Sequence, residues 1–87
     1  MIKGSEARRA LRQDLSQRFA YDECGRLEYI GETLPRYQDR TSNPVWRIRK
    51  IAYVEGSGCP EDMLGISWAN SSTEFNFSWE ERETYDY

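Results

Sequence analysis

Histidine is absent from this 87-residue chain, and cysteine occurs only twice, at Cys24 and Cys59. Histidine is the commonest general base and the commonest transition-metal ligand, so its absence removes the usual centre of catalytic and metal sites. A cysteine nucleophile at either position would have no histidine partner. The sequence therefore predicts no catalytic residue, no metal site and no cofactor, and it favours a protein that is not an enzyme.

Long apolar runs are also missing. No window approaches the roughly 18 apolar residues that a membrane-spanning helix requires. The first six residues contain no apolar stretch typical of a signal peptide. We therefore expect no membrane association and no secretory route, and without an oxidising compartment both cysteines are expected to be reduced thiols.

The charged residues are distributed unevenly. The net charge is -3, which disfavours nucleic acid as a partner. Residues 1–54 contain 11 basic against 7 acidic residues, a balance of +4, whereas residues 55–87 contain one basic against 8 acidic residues, a balance of -7. An asymmetry of this kind is often an interaction signal, and it favours protein partners.

The first part of the chain has a helical pattern. Residues 5–18 begin with Ser5, a residue type that caps helix N-termini, and Ala7, Ala10, Leu11 and Leu15 follow at helical spacing. This pattern predicts a helix over residues 5–18 that either packs on the rest of the domain or projects as an arm.

The rest of the chain has β patterning. Short apolar runs on either side of residues 22–25 predict a hairpin, in which Gly25 supplies the positive φ of the turn. An irregular loop is predicted over residues 31–44. Strands are predicted over residues 45–54, with a β-bulge at 49–50, over 64–68 and over 75–79, the last with a possible extension to 87.

The predicted fold class is therefore mainly β. We expect one domain over residues 1–87, in which the N-terminal helix precedes a β domain, residues 19–87. That β domain is expected to be a small antiparallel meander, sandwich or barrel-like sheet of four to five strands. The apolar residues that recur in phase with one another are the predicted core anchors: Trp46, Ile48, Ile51, Ile66, Trp68, Phe77 and Trp79.

Several short motifs occur in a fixed order along residues 29–85. They are Tyr29-Ile30-Gly31, the W-x-I-x-K-I segment 46–51, Trp68-Ala69, Phe75, and the W-x-x-R segment 79–82 that precedes Tyr85. This ordered set resembles short virion-associated structural proteins of tailed bacteriophages. The resemblance implies a structural component of the virion, located on the capsid, neck, tail or fibre, and present in the host cytoplasm during assembly.

Two other functions remain open from the sequence. The acidic run 80–86 is compatible with a small inhibitor or adaptor that binds a basic host protein. Exposed Trp and Tyr side chains are compatible with a carbohydrate-binding module. In the leading interpretation the partners are other virion proteins and further copies of the chain, with neither nucleic acid nor membrane as a partner.

The predicted partner interface joins the basic half of one copy to the acidic half of the next, head to tail. The basic side is expected to include Arg47 and Arg49, which share one face of a strand. The residues predicted to form this interface are Arg8, Arg9, Arg12, Arg47, Arg49, Glu80, Glu81 and Glu83.

Overall fold

The computed structural model describes residues 14–87, and these residues form one four-stranded antiparallel sheet. Its strands are β1 (Ser16–Tyr21), β2 (Leu27–Thr33), β3 (Arg47–Tyr53) and β4 (Met63–Trp68). Each strand pairs with the next in the chain, so the order is β1-β2-β3-β4. The predicted antiparallel meander is confirmed in its open form, in which β1 and β4 are edge strands.

The β1–β2 turn has the conformation that the sequence predicts. Gly25 adopts a φ of 79°, in the left-handed region where residues with a Cβ are disfavoured. A carboxylate oxygen of Asp22 accepts hydrogen bonds from the backbone N–H groups of Cys24 and Arg26. This Asp-centred turn aligns the two strands that follow and precede it.

Several predicted element boundaries are wrong. Ser16–Tyr21 forms β1, so the predicted helix is wrong from Ser16 onward, while its residues 5–13 lie outside the described residues. Strand β2 continues to Thr33, so the irregular loop begins later than residue 31. A β-bulge was predicted at residues 49–50, but the pairing of β3 with β4 is irregular at Ala52/Tyr53 instead.

The predicted strand over residues 75–79 is reduced to one bridge between Trp46 and Phe77, and the segment continues as the 3-10 turns of Trp79–Thr84. Ser78 is buried, and its hydroxyl donates a hydrogen bond to the Thr41 carbonyl.

Residues 77–87 provide the main cover on one face of the sheet, which we call the covered face. The buried apolar cluster there consists of Tyr29, Trp46, Ile48, Ala69, Phe77 and Trp79. Gly31 is essential to this packing, because a Cβ at that position would lie 2.5 Å from Cε3 of Trp79. The Trp79 ring thus occupies the space that a side chain on β2 would fill, and its centroid lies 5.9 Å from that of Trp46.

Hydrogen bonds fix the polar atoms within this apolar packing. The indole Nε1 of Trp46 donates to the Arg40 carbonyl at 3.0 Å, and the Tyr87 hydroxyl donates to the Arg82 carbonyl at 2.8 Å. Burial raises the pKa of Tyr87, with a smaller contribution from Tyr29. The covered face therefore combines aromatic packing with hydrogen-bonded polar groups.

Five of the seven predicted core anchors are buried: Trp46, Ile48, Ile51, Phe77 and Trp79. Ile51 is an odd number of residues from Ile48 along β3, so it points to the opposite face and lies outside the main cluster. The prediction is wrong for Ile66, which is 49% exposed, and Trp68 is only partly buried, since β4 lies at the sheet edge.

A disulfide joins Cys24 in the β1–β2 turn to Cys59 in the β3–β4 loop, with their Cα atoms 6.1 Å apart. The prediction of reduced thiols is therefore wrong. It depended on the expected compartment, whereas the meander brings both loops to the same end of the sheet. Arg26 reinforces this connection, because its guanidinium donates to Asp22 and to the Pro60 carbonyl. No helix in residues 14–87 is long and apolar enough to cross a membrane.

Candidate protein-interaction surface

The sheet face opposite the covered face, which we call the open face, is organised around the carboxylate of Glu32. Glu32 lies on β2 between Gln17 of β1 and Arg47 of β3 in the strand register. Directly opposed residues on neighbouring antiparallel strands point to the same face, so the three side chains meet. Gln17 Nε2 donates to Glu32 at 3.1 Å and Arg47 Nε donates to it at 2.9 Å. Glu32 is buried even though its row lies on the open face.

A second arginine completes this group. Arg49 follows Arg47 two residues later on β3, and its Nη2 lies 3.6 Å from the Glu32 carboxylate. One carboxylate therefore balances only one of the two guanidinium charges. The Nε atom of Arg49 is buried and has no hydrogen-bond partner within the described chain. The pair therefore retains positive charge that Glu32 does not balance.

Aromatic rings hold both guanidinium groups in place. The Arg47 guanidinium lies 5.5 Å from the Trp68 ring centroid and 5.0 Å from that of Phe75. The Arg49 guanidinium lies 5.2 Å from the Trp68 ring. These cation–π contacts orient two side chains that would otherwise be flexible. We refer to Glu32, Arg47, Arg49, Trp68 and Phe75 as the arginine–aromatic cluster.

Exposed apolar side chains lie beside this cluster. One row of paired residues crosses the four strands and consists of Phe19, Ile30, Arg49 and Trp68. Two residues further along β3 on the same face, Ile51 lies opposite Ile66 of β4. Phe19 is 48% exposed and Ile66 is 49% exposed, one on each edge strand. Large hydrophobic residues that remain exposed in the described chain are Phe19, Tyr21, Val54, Met63, Leu64 and Ile66.

Within residues 14–87, strand β4 is an unprotected sheet edge. It has the sequence MLGISW, with no charged residue and no proline, and its first five residues are exposed. Natural proteins usually protect such an edge with charges, proline or covering segments, because its free N–H and C=O groups can pair with another strand. Its irregular pairing near Leu64 leaves Gly65, Ile66, Ser67 and Trp68 as the regular part of the strand.

The structure brings together only some of the predicted interface residues. Arg47 and Arg49 lie side by side, as expected for alternate residues of a strand, but their carboxylate partner is Glu32 of the same chain. Glu80 and Glu81 lie on the segment Trp79–Thr84, and neither forms a salt bridge with Arg47 or Arg49.

The remaining predicted interface residues have different placements. Glu83 is exposed on the same segment, while Glu80 accepts a hydrogen bond from Thr41 Oγ1 at 2.6 Å. Arg8, Arg9 and Arg12 lie outside the described residues.

Sequence reasoning missed Glu32, Gln17 and Phe75 as members of this surface. A signal for Glu32 was present, because an acidic residue in one strand opposite the R-x-R pattern of the next is a favourable cross-strand combination. Using that signal requires the β2–β3 register, which pairs Glu32 with Arg47. Phe75 carries no such signal, since it reaches Arg47 from an irregular segment.

Residues 14–87 contain no group of three or more potential His, Cys, Asp or Glu metal ligands. The open face instead combines arginine and aromatic side chains with exposed apolar residues, a composition that is common at protein interfaces. Comparison of the chain with protein-family models, with curated proteins and with solved structures gives no match.

Proposed function

We propose that the protein is a non-enzymatic structural component of a tailed-phage virion, which acts through contacts with copies of itself and with other virion proteins. The observation that carries the proposal is the open face, where a fixed arginine–aromatic cluster adjoins exposed Phe19 and Ile66. The sequence resemblance supplies the virion context, and the surface supplies a means of association.

The composition of the open face supports protein contacts. Trp, Tyr and Arg are enriched among the residues that contribute most to binding at protein interfaces. Here Arg47 and Arg49 are already oriented by Trp68, so less conformational entropy is lost on association. The exposed apolar residues around them lose contact with water when a partner covers them.

The disulfide is also in keeping with a virion. Disulfides persist in oxidising surroundings, which include the surfaces of virions, and they are rare in cytosolic proteins. The Cys24–Cys59 bond thus suits a protein that is synthesised in the host cytoplasm and functions in a released particle.

The head-to-tail contact between copies remains part of this proposal. Glu81 and Glu83 are exposed on the segment that begins at Trp79, whose ring packs on the covered face. Arg47 and Arg49 belong to the open face. Contacts between two different patches are the kind that generate rings or shells when they repeat.

Mass spectrometry of purified particles from the source phage tests the proposal. We expect peptides of this chain in particles at a constant ratio to the major capsid or tail protein, and their absence would contradict the virion assignment. The gene's neighbours provide a separate check, because structural genes are expected on either side.

A charge reversal tests the head-to-tail contact. Glu81→Lys with Glu83→Lys should reduce incorporation into particles, whereas the matched control Glu23→Lys, in the β1–β2 turn, should not. All three side chains are exposed and none forms a salt bridge in the described chain. Equal incorporation of both variants would contradict this contact.

An adaptor that binds a basic host protein is the second candidate. It is favoured by the exposure of Glu81 and Glu83 at the acidic end of the chain. Affinity capture from host lysate distinguishes it, because an adaptor should recover one basic protein in stoichiometric amount and the Glu81→Lys, Glu83→Lys variant should not. Recovery of no such protein would contradict this candidate.

A further inference from the structure

The β4 edge and the acidic residues that precede it point to a specific partner. We propose that β4 pairs antiparallel with β4 of a second copy, about a two-fold axis normal to the sheet, to form one continuous eight-stranded sheet. This inference rests on the proposed function, because it specifies one contact within the proposed assembly.

The first argument is the character of the edge itself. Met63–Trp68 has no charge that would repel an identical strand and no proline that would interrupt pairing. A two-fold axis normal to the sheet keeps the open face of both copies on the same side. Ile66 and Trp68 of one copy would therefore adjoin those of the other, and exposed apolar area on both copies would be removed from water.

The second argument is Gly65, in the middle of β4. A Cβ at this position would contact nothing within 4 Å, and its φ lies outside the left-handed region. Neither packing nor backbone conformation within the described chain requires a glycine there, in contrast to Gly31. Glycine inside a strand often marks the close approach of another backbone.

The third argument is charge complementarity. Antiparallel pairing places the beginning of one β4 beside the end of the other. Glu61 and Asp62 immediately precede β4 and are exposed, whereas the guanidinium groups of Arg47 and Arg49 lie over Trp68 at its end. The acidic residues of each copy would thus approach the partner's surplus positive charge, and the two-fold axis repeats this contact.

Sedimentation velocity of the full chain over a concentration series tests the proposal. We expect a monomer–dimer equilibrium in which Ile66→Lys raises the dissociation constant by at least about tenfold. The reason is that the introduced lysines of the two copies would repel each other at the paired β4 edge. The matched control is Tyr21→Lys, which changes an exposed residue on the opposite edge strand and should leave the equilibrium unchanged. A dimer that Tyr21→Lys disrupts and Ile66→Lys does not would overturn the β4 assignment.

A second variant covers the case in which Ile66→Lys does not fold. Asp62→Lys should weaken the dimer about threefold to tenfold, and added salt should reduce the difference from the unchanged chain. Glu23→Lys is its control. Near-ultraviolet circular dichroism establishes whether each variant is folded. Equal association of Asp62→Lys and Glu23→Lys would contradict the charge argument.

Hydrogen exchange gives a readout of the paired edge. Amide protons in residues 63–68 should exchange more slowly as the protein concentration rises, while those in residues 16–21 should not. A monomer at every concentration would overturn the β4 proposal. It would not by itself overturn the virion assignment, which depends on detection of the chain in particles.

Discussion

The two faces of the sheet are stabilised by different interactions. On the covered face, Trp46 and Ile48 are fully buried and aromatic side chains from residues 77–87 pack over them. On the open face, Glu32 binds two arginines, while Phe19 and Ile66 remain about half exposed. The first face completes its packing within one chain, and the second retains apolar and charged groups at the surface.

The two faces differ because the C-terminal segment packs on only one of them. An antiparallel sheet can have one packed face and one face in contact with solvent. The C-terminal segment reaches the covered face because Gly31 leaves room for the Trp79 ring. The end of the sheet that carries the β1–β2 turn is held by the Cys24–Cys59 disulfide and by Arg26. At that end of the sheet, a disulfide and hydrogen bonds connect the loops.

Removal of an apolar anchor from the covered face should have the largest effect. Trp46→Ala deletes a fully buried side chain and its indole hydrogen bond, so we expect the free energy of unfolding to fall by about 3–5 kcal/mol. Ile66→Ala on the open face is the control and should cost less than about 1 kcal/mol in the monomer. Denaturant titration at low protein concentration measures both, and similar losses for the two variants would contradict the comparison of faces.

Loss of the disulfide should have the next largest effect. The bond connects residues 35 positions apart, and a cross-link over a loop of that length typically contributes about 2–4 kcal/mol by restricting the unfolded chain. Cys24→Ser with Cys59→Ser should therefore lower the denaturation midpoint, and addition of a reductant to the unchanged chain should produce the same shift. If the reductant left the midpoint unchanged, the two cysteines would not be linked.

The two strand glycines should respond in opposite directions. Gly31→Ala places a Cβ 2.5 Å from the buried Trp79 ring, and overpacking of this kind typically costs about 1–3 kcal/mol. Gly65→Ala meets no neighbour within 4 Å, so it should leave the stability unchanged or raise it by up to about 1 kcal/mol. Thermal unfolding of the two variants at low concentration compares them directly. A destabilised Gly65→Ala monomer would contradict the assignment of Gly65 to a contact between copies.

Titration of the β1–β2 turn should have the smallest effect. Burial acts to raise the pKa of Asp22, but hydrogen bonds from the backbone N–H and guanidinium of Arg26 and from the N–H of Cys24 outweigh it, so the pKa is lowered. A lowered folded-state pKa means that the Asp22 carboxylate stabilises the fold above the ordinary value of 3.8, and this contribution is lost as the pH falls through the folded-state pKa.

Two measurements check this prediction. A carboxyl NMR titration should place the Asp22 pKa below its ordinary value. Asp22→Asn should remove part of the loss of stability that the unchanged chain shows on acidification. Parallel stability curves for the two proteins across the acidic range would contradict the role of the carboxylate.

The sequence was sufficient to predict the local features. The alternation of apolar and polar residues indicates a mainly antiparallel β fold, and Gly25 indicates the β1–β2 turn, which the structure confirms. The burial of Trp46 and Ile48 is likewise evident from their phase in the strand. These features depend on the strand period of two and on local backbone conformation, and both are determined by residues close together in the sequence.

Only the tertiary structure determined which residues remain exposed and which face the core. Residues 75–79 alternate like a strand, but one bridge at Phe77 and the 3-10 turns from Trp79 onward make them a cover for the sheet. Ile66 alternates like a core residue, but its strand lies at an edge, so it is exposed. The Glu32–Arg47 pair and the Cys24–Cys59 disulfide each join residues distant in the chain. Periodicity identifies the side of a strand on which a residue lies, whereas strand order, register and chain cover decide what that side contacts.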